Sequence, residues 1–335
     1  MQVRLHGSDV GFDCAPGQTL LAAGLAAGLD MPYECASGSC GSCRARLLEG
    51  RVRPRWPAAP GLSERDRAKG DRILCCQAEP EGDCTLQLRT GSGPVPAAPR
   101  PRQATVTRLR PLNEDVLELQ LRLSDGQPMD YRPGQFVLLQ PPQGIGRRAY
   151  SMANLPAADG SLQFLVKRKP GGAASGWIFG QLGLGEPVML EGPYGRAWLR
   201  DDPVDRPLWL LAGGSGLAPV WAIAQASLAA APRRRVRLYF GVQRACDVFW
   251  LDEMRRVASA ASSLQIVVAL AEPSAADPPE CRHGPVADVL VADLPPEGLQ
   301  SLYMAGPPGL IAHATERLVR SGRVPADRVY YDRYA

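Results

Sequence analysis

The spacing of hydrophobic and polar positions changes character twice along the 335 residues. In residues 1–91 it is mixed. Alternating runs at 3–5, 11–14, 44–48 and 84–88 predict short strands, and the Ala/Leu-rich stretch 19–29 carries apolar side chains at helical spacing, with Thr19 placed to cap it. Residues 92–102 alternate Pro, Gly and Ala, cannot pair well in a sheet and read as a linker. From there the period is two: runs at 105–110, 116–123, 135–140, 149–152, 162–167 and 188–191, separated by turn residues, predict a small antiparallel barrel ending near Leu199. Beyond Arg206 apolar strands (208–212, 236–240, 264–270, 301–304, 329–331) alternate with helical stretches such as 219–228 and 308–320, the pattern of a parallel α/β sheet. Four segments follow: 1–91 as a small α+β domain, 92–102 as a Pro-rich linker, 103–200 as a barrel and 201–335 as an α/β domain. No internal repeat is visible.

Composition adjusts this picture only slightly. A hydrophobic content of 45% is enough for real cores, and the length fits two or three domains. The net charge is +4, with Lys69, Lys167 and Lys169 the only lysines and the arginines spread along the chain, which gives no nucleic-acid footprint. The uncharged run 208–231 is long enough to suggest a membrane span, but Gly213, Gly214, Gly216 and Pro219 break it into strand, tight loop and helix. No membrane span is expected. Nine cysteines with no secretory leader fit a reducing, cytoplasmic setting better than a disulfide scaffold.

The cysteines carry the first chemistry. Cys35, Cys40 and Cys43 sit in a Gly/Ser loop at C-x4-C-x2-C spacing, and Cys75 or Cys76 can supply a fourth thiol; that order is the one used to hold a plant-type 2Fe-2S cluster. Gly38 and Gly41 suit a loop whose N–H groups must turn inward toward an anionic centre. Zinc would call for a second close pair, which the adjacent Cys75 and Cys76 do not make.

Two further constellations follow. On a barrel strand, Arg148, Tyr150 and Ser151 combine a phosphate clamp with a side chain able to meet a ring, and Gly171, Gly172 and Ser175 form a Gly-rich turn opening a helix. In the α/β part, Gly213, Gly214, Ser215 and Gly216 follow an apolar strand and lead through Pro219 into a helix, so backbone can approach a dinucleotide pyrophosphate. Gly306 and Pro307 make a second loop at a strand end.

In this order the motifs resemble the iron–sulfur flavoprotein reductases of bacterial multicomponent oxygenases, in the ferredoxin–NADP reductase superfamily. The resemblance covers the whole chain and is nearest to the toluene and xylene monooxygenase reductases, through stretches such as 175–180, 191–195 and the C-terminal Asp332, Arg333 and Tyr334. It implies a multidomain fold: an α+β ferredoxin-like 2Fe-2S domain, an antiparallel β-barrel FAD domain and an α/β parallel-sheet NAD domain. It implies Cys76, directly before Gln77, as the fourth cluster ligand with Cys35, Cys40 and Cys43, and leaves Cys75 spare. It also implies Arg148, Tyr150, Ser151, Val166, Lys167, Gly172 and Ser175 at FAD, with Ser151 and Tyr150 touching the reacting ring, Gly213, Gly214, Ser215, Gly216, Gly306 and Pro307 at the nicotinamide cofactor, and Tyr334 as the closing aromatic. Ala305 stands where relatives often carry Cys. For the choice of nicotinamide cofactor, Asp247 and Arg244 point in opposite directions, and the form resembles NADH users.

The implied activity is an electron relay from NADH through FAD and the cluster to a protein acceptor, a di-iron hydroxylase or a Rieske-type ferredoxin of an aromatic-hydrocarbon monooxygenase, carried out by a monomer. The alternatives are a reductase of the same superfamily serving another acceptor, such as a deoxysugar dehydrase, and a non-catalytic redox carrier or sensor. Arg44, Arg46, Arg51, Arg53 and Arg55 outnumber Glu49 near the cluster loop and are expected either to dock the acceptor or to form a solvated face. His6, His283 and His313 receive no role.

Overall fold

A computed structural model describes residues 1–95, 97–142, 145–201, 203–295 and 301–334. Its first domain is a five-stranded sheet in the order Gly11–Asp13, Gln2–Leu5, Cys84–Gln87, Arg44–Glu49, Arg72–Leu74. The helix Leu20–Ala26 lays Leu20, Leu21 and Leu25 on that sheet, against Val3, Phe12 and Leu86. Thr19 Oγ1 accepts from Ala22 N at 3.2 Å, the cap expected from the sequence. The helix stops short of Leu29 because the chain turns at Gly28, whose φ of 78° is open to glycine. A second helix, Glu64–Lys69, is capped by Ser63 and closed by Gly70, and a two-stranded ribbon pairs Val52–Pro54 with Ala78–Pro80.

The barrel strands run in the order Arg148–Ser151, Phe136–Gln140, Pro187–Tyr194, Arg100–Pro111, Val116–Leu123, Ser161–Lys167. A bridge between Met152 and Phe164 brings the two edges together. One boundary differs from the expectation: the strand begins at Arg100, inside the stretch read as linker. Pro101 and Arg102 pair with Glu191 and Leu190 there, because the exposed prolines sit where a missing N–H costs little. The start of that stretch is also anchored, since Asp30 accepts from Gly93 N through Oδ2 (2.7 Å) and, just before it, from Gly91 N through its carbonyl (2.8 Å).

In the third domain, six strands lie parallel in the order Arg282–His283, Leu264–Leu270, Val236–Val242, Leu208–Gly213, Leu302–Gly306, Val329–Arg333. Helices Leu217–Ala230, Leu251–Ala260, Val286–Ala292 and Pro308–Ala314 connect them. Strand order reverses between Leu208–Gly213 and its neighbours, and an open parallel sheet binds ligands at the carboxyl ends of such a switch point.

The three domains share cores. Phe136, Leu138 and Tyr194 of the barrel pack into the apolar cluster of the first domain, and Val116, Ala153 and Leu165 pack into that of the third. Among the described residues no helix is long and apolar enough to cross a membrane.

Candidate cofactor sites

The four thiols Cys35, Cys40, Cys43 and Cys76 gather under the loop 35–43, with Cys35, Cys43 and Cys76 buried. They form two pairs. Cys35 and Cys40 lie close enough to perturb each other's thiol, and so do Cys43 and Cys76. The Cys35 side chain beside it lowers the Cys40 thiol, the direction a thiolate ligand needs. Backbone N–H groups turn toward the sulfurs, from Cys40 to Cys35 Sγ and from Ser42 to Cys40 Sγ, both at 3.4 Å. Among the described residues no three side chains of the metal-binding types converge on one ion position. Two thiol pairs side by side instead match the donor set of a two-iron centre, in which each iron takes two cysteines.

The glycines of this loop are fixed by contact as well as by conformation. Gly41 (φ 78°) would place a Cβ 2.7 Å from Gly61 O, and Gly61 N donates to Gly38 O at 2.9 Å. Cys75 is fully buried on the other side of the chain, its N–H bonded to Cys43 O at 3.0 Å and its thiol pushed up by burial.

At the barrel, Arg148 lies with its guanidinium over the Trp56 ring at 4.8 Å, and its Nη1 donates only to Arg147 O. No carboxylate pairs with it among the described residues, so it is available to a phosphate. Tyr150 is pushed up to about 12 by burial and stays a neutral phenol. Ser151 is buried, and Tyr334 Oη approaches its Oγ at 3.5 Å. Gly172 opens the helix Ala173–Gly180 without a side-chain cap, leaving its first N–H groups for an anion. Ser175 Oγ is used within that turn, accepting from Lys169 N at 3.0 Å and donating to Gly172 O at 3.2 Å. Val166 points into the barrel core, so only its backbone can meet a cofactor, while Lys167 is exposed.

In the third domain, Gly213 ends its strand, Gly214–Gly216 make one tight turn, and the helix Leu217–Ala230 starts with no side-chain cap. Loop packs on loop: a Cβ on Gly216 would lie 2.1 Å from Ala305 O, and one on Gly213 would lie 2.5 Å from Leu310 Cδ2. Gly306 O accepts from Tyr334 N at 2.9 Å, and Pro307 caps the helix Pro308–Ala314. Asp247 does not stand free. Its Oδ2 accepts from Arg244 N at 2.9 Å and its Oδ1 lies 3.5 Å from Arg244 Nη2, so the acid and the base that compete in the sequence are paired with each other.

The C-terminal strand Val329–Arg333 ties the sites together. Arg333 pairs with Glu34 at 2.8 Å, one residue before Cys35, while Tyr334 reaches Ser151 through its hydroxyl and Gly306 through its backbone. Asp332, read in the sequence only as part of the C-terminal stretch and given no site role, has a buried Oδ2 with no partner, and burial together with the Glu34 charge raises it to about 7. The first domain is further held by Tyr33 Oη accepting from Gly195 N (3.0 Å) and by Asp30 pairing with Arg196 (2.8 Å). The basic face near the cluster is largely neutralised: Arg44 pairs with Asp66, Arg46 with Asp71, and both Arg53 and Arg55 with Glu79.

Family models for the 2Fe-2S iron–sulfur cluster binding domain, the oxidoreductase FAD-binding domain and the oxidoreductase NAD-binding domain match residues 3–81, 103–198 and 210–316. The chain is 45% identical over 323 residues to the alkene monooxygenase system ferredoxin–NAD(+) reductase component of Xanthobacter autotrophicus, covering 96% of this chain and 97% of that one. It is 37% identical to the ferredoxin–NAD(P)(+) reductase CarAd of Metapseudomonas resinovorans, covering 99% of each. Identity to the xylene/toluene monooxygenase electron transfer component XylA of Pseudomonas putida is 32%, covering 99% and 93%. The ferredoxin reductase in carbazole 1,9a-dioxygenase superposes with a TM-score of 0.88 at 33% identity, covering 100% of this chain and 98% of that one.

Proposed function

The chain belongs to the ferredoxin–NAD(P)+ reductase components of multicomponent oxygenase systems, and from that membership we propose how its residues carry electrons from NADH through FAD and a 2Fe-2S cluster to an oxygenase or the small ferredoxin serving one. The observation that carries the reading is the terminal segment 329–334, which touches the glycine loop of the NAD domain, the Arg148–Ser151 strand and the residue preceding Cys35. When bound, FAD supplies the change from a two-electron hydride donor to single electrons, which the cluster carries one at a time.

The protein's work is positioning. Cys35 and Cys40 would hold one iron and Cys43 and Cys76 the other, with the N–H groups of Cys40 and Ser42 offsetting negative charge on sulfur. Arg148 and the open N-terminus after Gly172 would hold the FAD pyrophosphate, and Ser151 and Tyr150 would face its ring, where a hydroxyl can hydrogen-bond without transferring a proton. Tyr334 meets Ser151 through its hydroxyl, and its ring would exclude water there until the nicotinamide takes its place. Gly213, Gly214, Ser215 and Gly216 would take the NADH pyrophosphate, with Gly306 and Pro307 as the facing wall. NADH is the preferred donor, since Arg244 is already paired with Asp247 and is a poor receptor for a 2′-phosphate.

The division proposed is 1–91, 103–200 and 201–335, with a connecting stretch at 92–102 whose last residues join the barrel. Nine cysteines, none joined in a disulfide and four of them assigned to the cluster, fit a cytoplasmic protein, and a monomer suffices because all three sites lie within one chain. The 45% relative serves an alkene monooxygenase system, so an alkene oxygenase stands beside an aromatic one as the terminal partner. Reconstitution with alkene and aromatic oxygenase components tests this: NADH-dependent product formation that requires this chain supports the reading, and equal turnover without it contradicts it.

A further inference from the structure

A cavity of about 700 Å³ opens between the barrel and the NAD domain, lined on one side by Arg132, Pro133, Leu199 and Arg200 and on the other by Ser227, Ala231 and Arg234. It lies at the C-terminal end of the helix Leu217–Ala230, whereas the glycine loop of the nicotinamide site lies at its N-terminal end. None of the motif residues takes part in it.

Three guanidinium groups meet there, and the one carboxylate among the described lining residues, Asp201, pairs with none of them. Arg132 and Arg200 both lie over the Trp198 ring, at 5.3 and 3.9 Å, and Arg200 lies over Tyr330 at 4.9 Å as well. Arg200 Nη2 donates to Arg196 O at 2.7 Å, but its Nη1 is buried with no partner. Burial pulls the Arg200 pKa down, and the Arg132 and Arg196 charges pull it further. Arg234 is buried and spends only Nε, on Arg206 O at 2.9 Å. Ser227, a lining residue, is 1% exposed, and its buried Oγ has no hydrogen-bond partner. Among the described residues none of the three arginines has an ion pair with a carboxylate, although Asp201 lies on the exposed rim. The helix end contributes roughly half a negative charge, too little to balance three cations.

Cations held together by stacking, with donors left over and a buried hydroxyl beside them, make a receptor for a compact dianion. We propose that this cavity binds a phosphate group, either free inorganic phosphate or the phosphate of a mononucleotide. Such a ligand bridges Arg132 and Arg200 on the barrel side to Ser227 and Arg234 on the NAD side, and so fixes the relation between the two domains.

The test is isothermal titration of inorganic phosphate into the FAD- and cluster-loaded chain at constant ionic strength, with NAD+ saturating the nicotinamide site. One site is expected with a dissociation constant of about 1 mM or below, and Arg132→Gln and Ser227→Ala should each weaken it about tenfold. Arg132 is exposed and Ser227→Ala removes a single oxygen, so both variants keep the fold. An arm with adenosine monophosphate separates the sources: binding about tenfold tighter than phosphate assigns the site to a nucleotide, and equal or weaker binding assigns it to the free anion. Absence of saturable binding, or an unchanged affinity in either variant, overturns the proposal.

Discussion

Gly216→Ala isolates the packing of the two dinucleotide loops. Gly216 has φ −58° and ψ −11°, a conformation alanine adopts freely, so the variant carries no backbone strain. Its Cβ, however, would lie 2.1 Å from Ala305 O, 2.5 Å from Ala305 C and 2.9 Å from Gly306 N. These are backbone atoms that cannot rotate away, so the loops must separate by about 1 Å to restore ordinary contact. Displacement of that size at a site that works by positioning costs about 100-fold in rate, or about 2.7 kcal/mol of barrier. The assay is stopped-flow bleaching of the flavin by NADH under anaerobic conditions, beside chemical reduction by dithionite as a control. The variant should keep its visible spectrum and its dithionite reduction while the NADH step slows about 100-fold. Gly214→Ala is the companion: φ is 53° with nothing within 4 Å, so only about 1 kcal/mol of left-handed strain is added and the rate should fall by less than about tenfold. A Gly216→Ala variant within about twofold of wild type refutes the argument that close loop contact places the nicotinamide.

Cys76→Ser should lose the cluster's visible spectrum while Cys75→Ser retains it at a stability cost of about 1–3 kcal/mol for a buried hydroxyl, as followed by absorbance and denaturant midpoint; the reverse result reassigns the fourth ligand. Asp332 is raised to about 7, so the folded state holds its proton up to that pH and loses stability as pH rises from about 4 through 7. Asp332→Asn should therefore exceed wild type by about 2 kcal/mol at about pH 8 and lose that margin near pH 5; equal margins at both values would dismiss the buried charge. Arg333→Ala removes a half-exposed pair worth less than about 1 kcal/mol in stability, yet should slow flavin-to-cluster transfer about tenfold by loosening Glu34 and the loop that begins at Cys35. Stripping iron with a chelator should leave NADH reduction of the flavin intact and abolish transfer to a protein acceptor.

What the sequence exposed and what it hid have separate physical causes. Strands at 116–123 and 264–270 were legible to the residue because strict burial on one or both faces leaves a strong period. The cluster loop was legible because thiols at fixed spacing have few other uses. The helix Glu64–Lys69 was missed although Ser63 and Asp66 spell its cap, since none of its residues is buried and it has no apolar face to read. The strand start at Arg100 was masked by prolines that an edge tolerates. The loss of free charge on the basic face and the burial of Asp332 beside Glu34 were not legible in principle. Each depends on which groups the fold brings within a few ångströms, and side-chain pairing across distant segments leaves no local pattern.

The central claim is that one chain holds the entire path from NADH to the cluster. Anaerobic mixing of the loaded protein with NADH, followed at flavin and cluster wavelengths together, tests it most directly. The account predicts that the flavin bleaches first and the cluster follows within the same turnover, with no other protein present. A flavin that bleaches while the cluster stays oxidised, or a cluster that reduces only when an outside reductase is added, would contradict it.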